Sequence, residues 1–293
     1  MIGPLVRSLR PSQWPKNLFV LAPLVFGRLL GDPRALERAL LALLAFCFAS
    51  SAVYLLNDLK DREEDRKHPL KRLRPLAAGT LSVPVAVAAA IGLVLAAAAI
   101  GYLLPGGFAL ALGAYLALNV LYTAGMKHVV ILDVMAISFG FVLRVLAGAA
   151  ATAVQVSSWL ILCTIFLSLF LAFSKRRHEL ILLADSAIEQ RRVLYHYSPA
   201  FLDQMINVVT ASSVVSYALY AVAPETVEKY HTQNLVYTIP MVLFGIFRYL
   251  YLMYQQSGER NPTESILRDP PFLINIGLWG LAVVWIVYRA GSP

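Results

Sequence analysis

The sequence predicts an all-helical integral membrane protein of about nine transmembrane helices. Three observations lead there. The chain is 59% hydrophobic and only 14% charged, whereas a soluble globule of this length would carry roughly a quarter charged residues. Its apolar runs are each roughly 20 residues long, enough to cross a hydrocarbon core of ~30 Å as helices whose backbone groups are all satisfied internally. Alternating ten-residue strands are absent, which excludes a barrel.

The elements follow in order along a single polytopic domain, residues 1–293. An amphipathic opening, Val6 to Lys16, contains Arg-Pro and Trp-Pro turns and leads to a first span at about Asn17 to Leu30. Arg7, Arg10 and Lys16 precede that span and no small-residue cleavage site follows, so it reads as a retained helix. A Gly31-Asp32-Pro33 turn precedes the second span, about Leu36 to Leu56. Two more spans, about Val83 to Leu104 and Gly107 to Tyr122, are separated by Pro105-Gly106. Spans at about Leu132 to Ala151 and Trp159 to Phe173 come next, and then a charged loop, Ser174 to Tyr197. The last three spans are about Phe201 to Val222, Leu235 to Tyr254 and Pro271 to Tyr288, with turn chemistry in the NPTE and RDP tracts between the final two. Cys47 and Cys163 both fall inside apolar runs, so packing residues are expected rather than a disulfide framework.

Most Lys and Arg residues fall on one side of this topology. The cap segments there are about 57–82, 123–131, 174–200 and 255–270, and the positive-inside rule makes that side cytoplasmic, with the N-terminus inside. The net charge of +8 fits anionic headgroups and a phosphorylated substrate. Nucleic acid is not expected, because no aromatic-interleaved basic patch occurs on a soluble domain.

The polar centre is NDLKDREEDRKHPLKRLRP, Asn57 to Pro75. Asp58, Asp61 and Asp65 fall at i, i+3 and i+7, which stacks side chains on one helical face. Clustered carboxylates repel one another unless a cation lies among them, and oxygen-only ligands select a hard ion such as Mg²⁺. Lys60, Arg62, Arg66, Lys67, Lys71, Arg72 and Arg74 crowd the same stretch and are phosphate partners. A diphosphate is the expected ligand. The plainer reading is a solvated loop that sets topology, yet acids contribute little to orientation.

Other candidates lie on the same face. Tyr122, Lys127 and Asp133 flank a short polar break, YTAGMKHVVILD, and Asp133 meets the positive end of a helix dipole. They either complete a metal-diphosphate cage or serve as ordinary interface residues. Arg144 lies roughly 16 Å of helix beyond Asp133, a costly depth for a charge unless it faces a polar cavity or a partner. The KRRHE run places Lys175, Arg176 and Arg177 together, either as a second phosphate clamp or as a topology signal. Arg248 near a helix end has the reach to snorkel. His68, His128 and His178 are possible phosphate donors without zinc spacing. No phosphate-loop glycines, GxSxG or kinase set occurs, which removes support for hydrolases and nucleotide triphosphatases.

The NDxxDxxxD stretch after the second helix and the YxxxxK…D break after the fourth resemble the UbiA-type intramembrane prenyltransferase superfamily. Within it the chain is most similar to the decaprenyl-phosphate phosphoribosyltransferase branch, through RPSQWPKN at Arg10 to Asn17, NDLKDREEDRKHPLKRLRPLAAG at Asn57 to Gly79, FVLRVLAG ending at Gly148, SLFLAFSKRRHEL at Ser168 to Leu180 and LRD at Leu267 to Asp269. The resemblance implies a helical bundle around a central cavity with cytoplasmic cap loops. It also implies Mg²⁺ on Asp58, Asp61 and Asp65, with Asn57 orienting them. Members that use prenyl diphosphates commonly carry a second DxxxD motif, and here Lys127 and Asp133 stand alone in its place.

The reaction the resemblance implies is transfer of 5-phosphoribose from 5-phosphoribosyl 1-diphosphate to a polyprenyl phosphate, releasing diphosphate, for cell-envelope arabinan synthesis. The catalytic set would be Asp58, Asp61, Asp65 and Lys127. Lys16, Asn57, Arg66, Lys71, Arg72, Arg74, Tyr122, Asp133, Arg144, Lys175, Arg176 and Arg177 would contact substrates. A plasma-membrane location and a homo-oligomer are compatible with this. The alternatives are an aromatic or tetrapyrrole prenyltransferase using the same metal site, and a lipid transporter or binding protein, which leaves the acids unexplained.

Overall fold

The structure is a computed structural model that describes residues 2–67, 71–184, 196–255, 266 and 268–289. His68, residues 185–195 of the charged loop, the NPTE tract at 261–264 and Leu267, all parts of stretches named from the sequence, lie outside the described residues. The helices are α1 (Ile2–Leu9), α2 (Ala22–Phe26), α3 (Pro33–Lys60), α4 (Arg62–Lys67), α5 (Val83–Leu103), α6 (Gly106–Ala124), α7 (Leu132–Thr152), α8 (Ser158–Ala184), α9 (Pro199–Val222), α10 (Pro224–Tyr230), α11 (Ile239–Gln255) and α12 (Pro270–Arg289). Among the described residues eight helices, not nine, are long and apolar enough to cross a membrane.

The difference is the first expected span. Pro11–Leu21 winds as a 3-10 helix with Pro15 inside it, and α2 begins at Ala22-Pro23 and ends at Gly27. Proline has no N–H to donate, so two prolines interrupt the α ladder twice within one short segment. The segment nevertheless runs antiparallel along α3. Trp14 Nε1 donates to Ser51 Oγ at 3.1 Å, Asn17 Nδ2 donates to Ser50 Oγ at 3.1 Å, and Leu24 packs with Ala35 and Ala39.

Packing divides the chain into two compact units, Met1–Lys127 with Gly140–Val156, and His128–Phe139 with Ser157–Pro293. In the first, α3 packs on α5 and α6 through small residues, with Ala42, Ala45, Ala49 and Ala97 in one buried cluster. Small side chains let helix backbones approach closely where the lipid gives no hydrophobic drive. Gly148 of α7 lies directly on the backbone of Val20, where any Cβ would overlap the Val20 carbonyl. Asp32 starts α3 by accepting from Arg34 N at 2.9 Å and Ala35 N at 3.3 Å, with Pro33 as the first helical residue.

In the second unit, Phe170 and Phe173 of α8 join Leu202 and Ile206 of α9 and Tyr249 and Leu252 of α11 in one core. Ser198 caps α9 through Phe201 N at 3.1 Å. The charged stretch from Ser174, expected as a loop, begins as helix. α8 continues to Ala184, because Lys, Arg, Glu and Leu are good helix formers and the run contains neither Gly nor Pro.

Candidate active site

The three aspartates do not form one stripe on one continuous helix. Asp58 lies in the last turn of α3, Asp61 is its C-cap, and Asp65 lies in α4. The break at Asp61 divides them. Asp58 and Asp65, both buried, converge on a single nitrogen: Arg74 Nη1 donates to Asp58 Oδ1 at 3.1 Å and to Asp65 Oδ2 at 2.7 Å. Asp61 is bound instead by Lys127 Nζ, at 3.0 Å from Oδ1 and 3.4 Å from Oδ2.

Arg10 completes this group and was not a sequence candidate for the site. Its Nη2 donates to Asp58 Oδ1 at 2.5 Å, and its guanidinium lies 4.8 Å from the centre of the Tyr54 ring. Burial lowers the Arg10 pKa and the Asp58 charge opposes that shift. Only a fold that lays the N-terminal segment on the end of α3 brings residues 48 positions apart together.

The last turn of α6 is tied to the same end of α3. Thr123 Oγ1 lies 2.6 Å from Asn57 Oδ1, and Lys60 Nζ donates to the Thr123 carbonyl at 2.6 Å. Tyr122, Lys16 and Lys71 are half-buried and Arg72 is exposed. Arg66 is exposed, bonded to the Ala77 carbonyl at 3.2 Å and to Glu63 at 3.0 Å.

Arg144 is buried and makes no ion pair among the described residues. Its Nε donates to Asn17 Oδ1 at 2.8 Å, Nη1 to the Gly140 carbonyl at 2.8 Å and Nη2 to Tyr115 Oη at 3.0 Å. The rings of Tyr115, Phe141 and Phe46 surround it at 4.6, 5.3 and 5.9 Å. Neutral acceptors and ring faces thus replace the counter-ion that a charge at this depth demands.

In the second unit Asp133 is fully buried and already bonded. Arg176 Nε donates to its Oδ2 at 2.7 Å and Tyr197 Oη to its Oδ1 at 2.7 Å. Arg176 also donates to Glu179 at 2.5 Å. Tyr197 accepts from Ile131 N at 2.7 Å, and Ile131 has a φ of 69°, a strained conformation for a β-branched residue. Burial pushes the Tyr197 hydroxyl well above its ordinary pKa, so it remains a donor. Sequence reasoning missed Tyr197, since a tyrosine beside a charged loop carries no distinguishing pattern. Arg177 pairs with Asp203 and lies 4.2 Å from the Tyr254 ring, while Lys175 lies 3.8 Å from Glu179. Arg176 is thus shared between the buried Asp133 and the more exposed Glu179.

Among the described residues no group of three or more His, Cys, Asp or Glu side chains is placed to hold a metal ion. The donor chemistry of the acidic end still fits a hard cation. Two buried carboxylates direct oxygens at one point of positive charge, with the Arg74 nitrogen as the stand-in, and a third, Asp61, lies between them in sequence, held by Lys127.

The UbiA prenyltransferase family matches residues 20–268. The chain belongs to that family. It is 36% identical to the decaprenyl-phosphate phosphoribosyltransferase of Corynebacterium glutamicum over 97% of this chain and 86% of that protein. The decaprenyl-phosphate phosphoribosyltransferase of Mycobacterium tuberculosis is 32% identical over 98% of this chain and 93% of that protein. A UbiA homologue from Archaeoglobus fulgidus, solved with DMAPP and Mg²⁺, shares the fold with a TM-score of 0.73 at 20% identity, over 97% of this chain and 98% of that one. As a UbiA-family member, the chain carries the family's helical fold and multiple apolar helices.

Proposed function

We propose that this UbiA-family chain transfers the 5-phosphoribosyl group of 5-phosphoribosyl 1-diphosphate to the phosphate of a decaprenyl-type polyprenyl phosphate. The observation that carries this reading is likeness along nearly the whole chain to relatives of that name. The chemistry of the acidic end supports it: Arg10, Arg74 and Lys127 face the three aspartates. A donor bearing a diphosphate and a further 5-phosphate demands more cations than a prenyl diphosphate does.

A lipid-phosphate oxygen bonds to ribose C1 as the C1–oxygen bond to diphosphate breaks, and the diphosphate leaves with the electron pair. The attacking phosphate is already anionic near neutral pH, so no general base is required, and positioning with charge neutralisation supplies most of the rate. Asp58, Asp61 and Asp65 would hold Mg²⁺, which when bound neutralises charge on the leaving diphosphate. The Arg74 and Lys127 donors, now on carboxylates, are the ones that phosphate oxygens would share. Lys16, Arg66, Lys71, Arg72, Tyr122, Lys175 and Arg177 are the proposed further substrate contacts. Arg144, Arg176 and Asp133, buried and bonded to their neighbours, position these elements. The basic excess beside the acidic end makes that side cytoplasmic in a plasma membrane.

The test is turnover in nanodiscs with Mg²⁺ and a polyprenyl phosphate. Labelled phosphoribosyl diphosphate is offered in parallel with labelled prenyl diphosphate plus an aromatic acceptor. Label passing from phosphoribosyl diphosphate into the lipid is the expected result. Label passing only from prenyl diphosphate would overturn the reading.

A further inference from the structure

Two contacts of matching spacing join the end of α3 to the end of α6. Asn57 and Asp61 are four residues apart, as are Thr123 and Lys127. Thr123 meets Asn57 at 2.6 Å and Lys127 meets Asp61 at 3.0 Å. Lys60 Nζ holds the Thr123 carbonyl at 2.6 Å, which leaves the Thr123 hydroxyl little freedom to move away.

That hydroxyl has a second close neighbour. Thr123 Oγ1 lies 2.8 Å from the Asn119 carbonyl, the i−4 back-bond that threonine makes in helices. A hydroxyl carries one hydrogen and two lone pairs. It cannot donate both to Asn119 O and to Asn57 Oδ1, and two oxygens at 2.6 Å with no hydrogen between them repel. A half-turn of the Asn57 amide removes the conflict, because its oxygen and nitrogen are distinguished by their hydrogen bonds and not by shape. Asn57 Nδ2 then donates to Thr123 Oγ1, and Thr123 donates to Asn119 O. The Asn57 carbonyl oxygen is turned away from Thr123.

We infer that Thr123 is a positioning residue of the acidic site: by accepting from the Asn57 NH₂ it presents the Asn57 carbonyl oxygen, instead of the NH₂, on the face of α3 that leads to Asp61. A neutral amide oxygen is a hard ligand suited to Mg²⁺, whereas an NH₂ group there would repel the cation. The assignment rests on the proposed Mg²⁺ and diphosphate site.

The experiment compares wild type, Thr123→Val and Thr123→Ser, each full-length in nanodiscs. Thr123→Val keeps the shape and removes the hydroxyl. Two quantities are measured: the Mg²⁺ concentration giving half of the thermal stabilisation produced by Mg²⁺ with inorganic diphosphate, and turnover of phosphoribosyl diphosphate. Thr123→Val should raise the Mg²⁺ requirement about 10-fold, the usual cost of losing a group that orients a metal ligand. Its melting temperature without Mg²⁺ and its KM for polyprenyl phosphate should match wild type, and Thr123→Ser should restore the Mg²⁺ requirement. An unchanged Mg²⁺ requirement in Thr123→Val, or an equal loss in Thr123→Ser, overturns the inference. So does a drop in the Mg²⁺-free melting temperature of Thr123→Val large enough to account for its defect, and so does a wild-type protein that Mg²⁺ with diphosphate leaves unstabilised. If the variants separate in the Mg²⁺ titration while phosphoribosyl diphosphate is not turned over, the proposed reaction fails and the role of Thr123 stands.

Discussion

The acidic end of α3 and the Asp133–Arg176 pair in α7 and α8 are built from the same residue types and behave as opposites. At the first, partners are shared: Arg74 serves Asp58 and Asp65, and Asp58 serves Arg10 and Arg74. The cationic partners are partly open to solvent, with the Arg74 and Arg10 side chains 30% and 26% exposed. At the second, Arg176 is likewise shared, with Glu179, but the Asp133 and Arg176 side chains are 0% and 2% exposed, and Tyr197 takes the remaining carboxylate oxygen. Partly exposed bonds can be exchanged for bonds to a phosphate at little cost. A closed and buried pair cannot, because separating it leaves an uncompensated charge. Charge alone therefore does not mark a binding residue; accessibility of its donors does.

The sharpest way to break this contrast is Asp133→Asn. It should lower unfolding stability by about 3–5 kcal/mol, the cost of breaking a buried pair, read as a lower melting temperature in detergent with little change in KM of the remaining folded protein. Normal stability with a raised KM would instead make Asp133 a ligand residue. Asp61→Asn is the converse case. Turnover should fall about 10²–10³-fold, as when one preorganised charge-stabilising group is lost, while the melting temperature holds; retained activity with unchanged Mg²⁺ dependence would remove Asp61 from the metal site.

A smaller effect should separate the two regions further. Tyr197→Phe leaves Ile131 N and one Asp133 oxygen unpartnered, so stability should drop by about 1–3 kcal/mol, measured by thermal unfolding, with turnover per folded molecule preserved. The smallest concerns Asp269. It accepts from Arg248 Nε at 3.1 Å, Arg248 Nη2 at 2.8 Å and Phe272 N at 2.9 Å, and the bond to Arg248 foremost holds its pKa below the ordinary carboxylate value. A depressed folded pKa stabilises fully above the unfolded value and is lost as pH falls through the folded one. Wild type and Asp269→Asn should thus differ slightly at neutral pH and converge in acid; a gap that widens on acidification would reverse the sign.

Most of the helices were legible in the sequence because a lipid environment leaves few solutions for an apolar run, and the eight expected spans after the first lie within a few residues of the observed ones, apart from the charged extension of α8, while the short α4 and α10 were not foreseen. Asn57, the three aspartates and Lys127 stand out as candidates in the sequence because polar groups next to apolar runs are conspicuous, but the helical spacing that puts the aspartates on one face does not foresee the helix break at Asp61. Tertiary structure alone decided which charge met which. Arg10 reaches Asp58 across 48 residues and Arg144 reaches Asn17 across 127, distances over which no local periodicity carries information. It also decided that the proline-rich opening runs along α3 as a 3-10 segment, since the prolines forbid the α ladder while the groups that hold the alternative belong to another helix. Local composition determines how a segment is paired with its solvent; partner choice depends on the free energy of the whole packed chain.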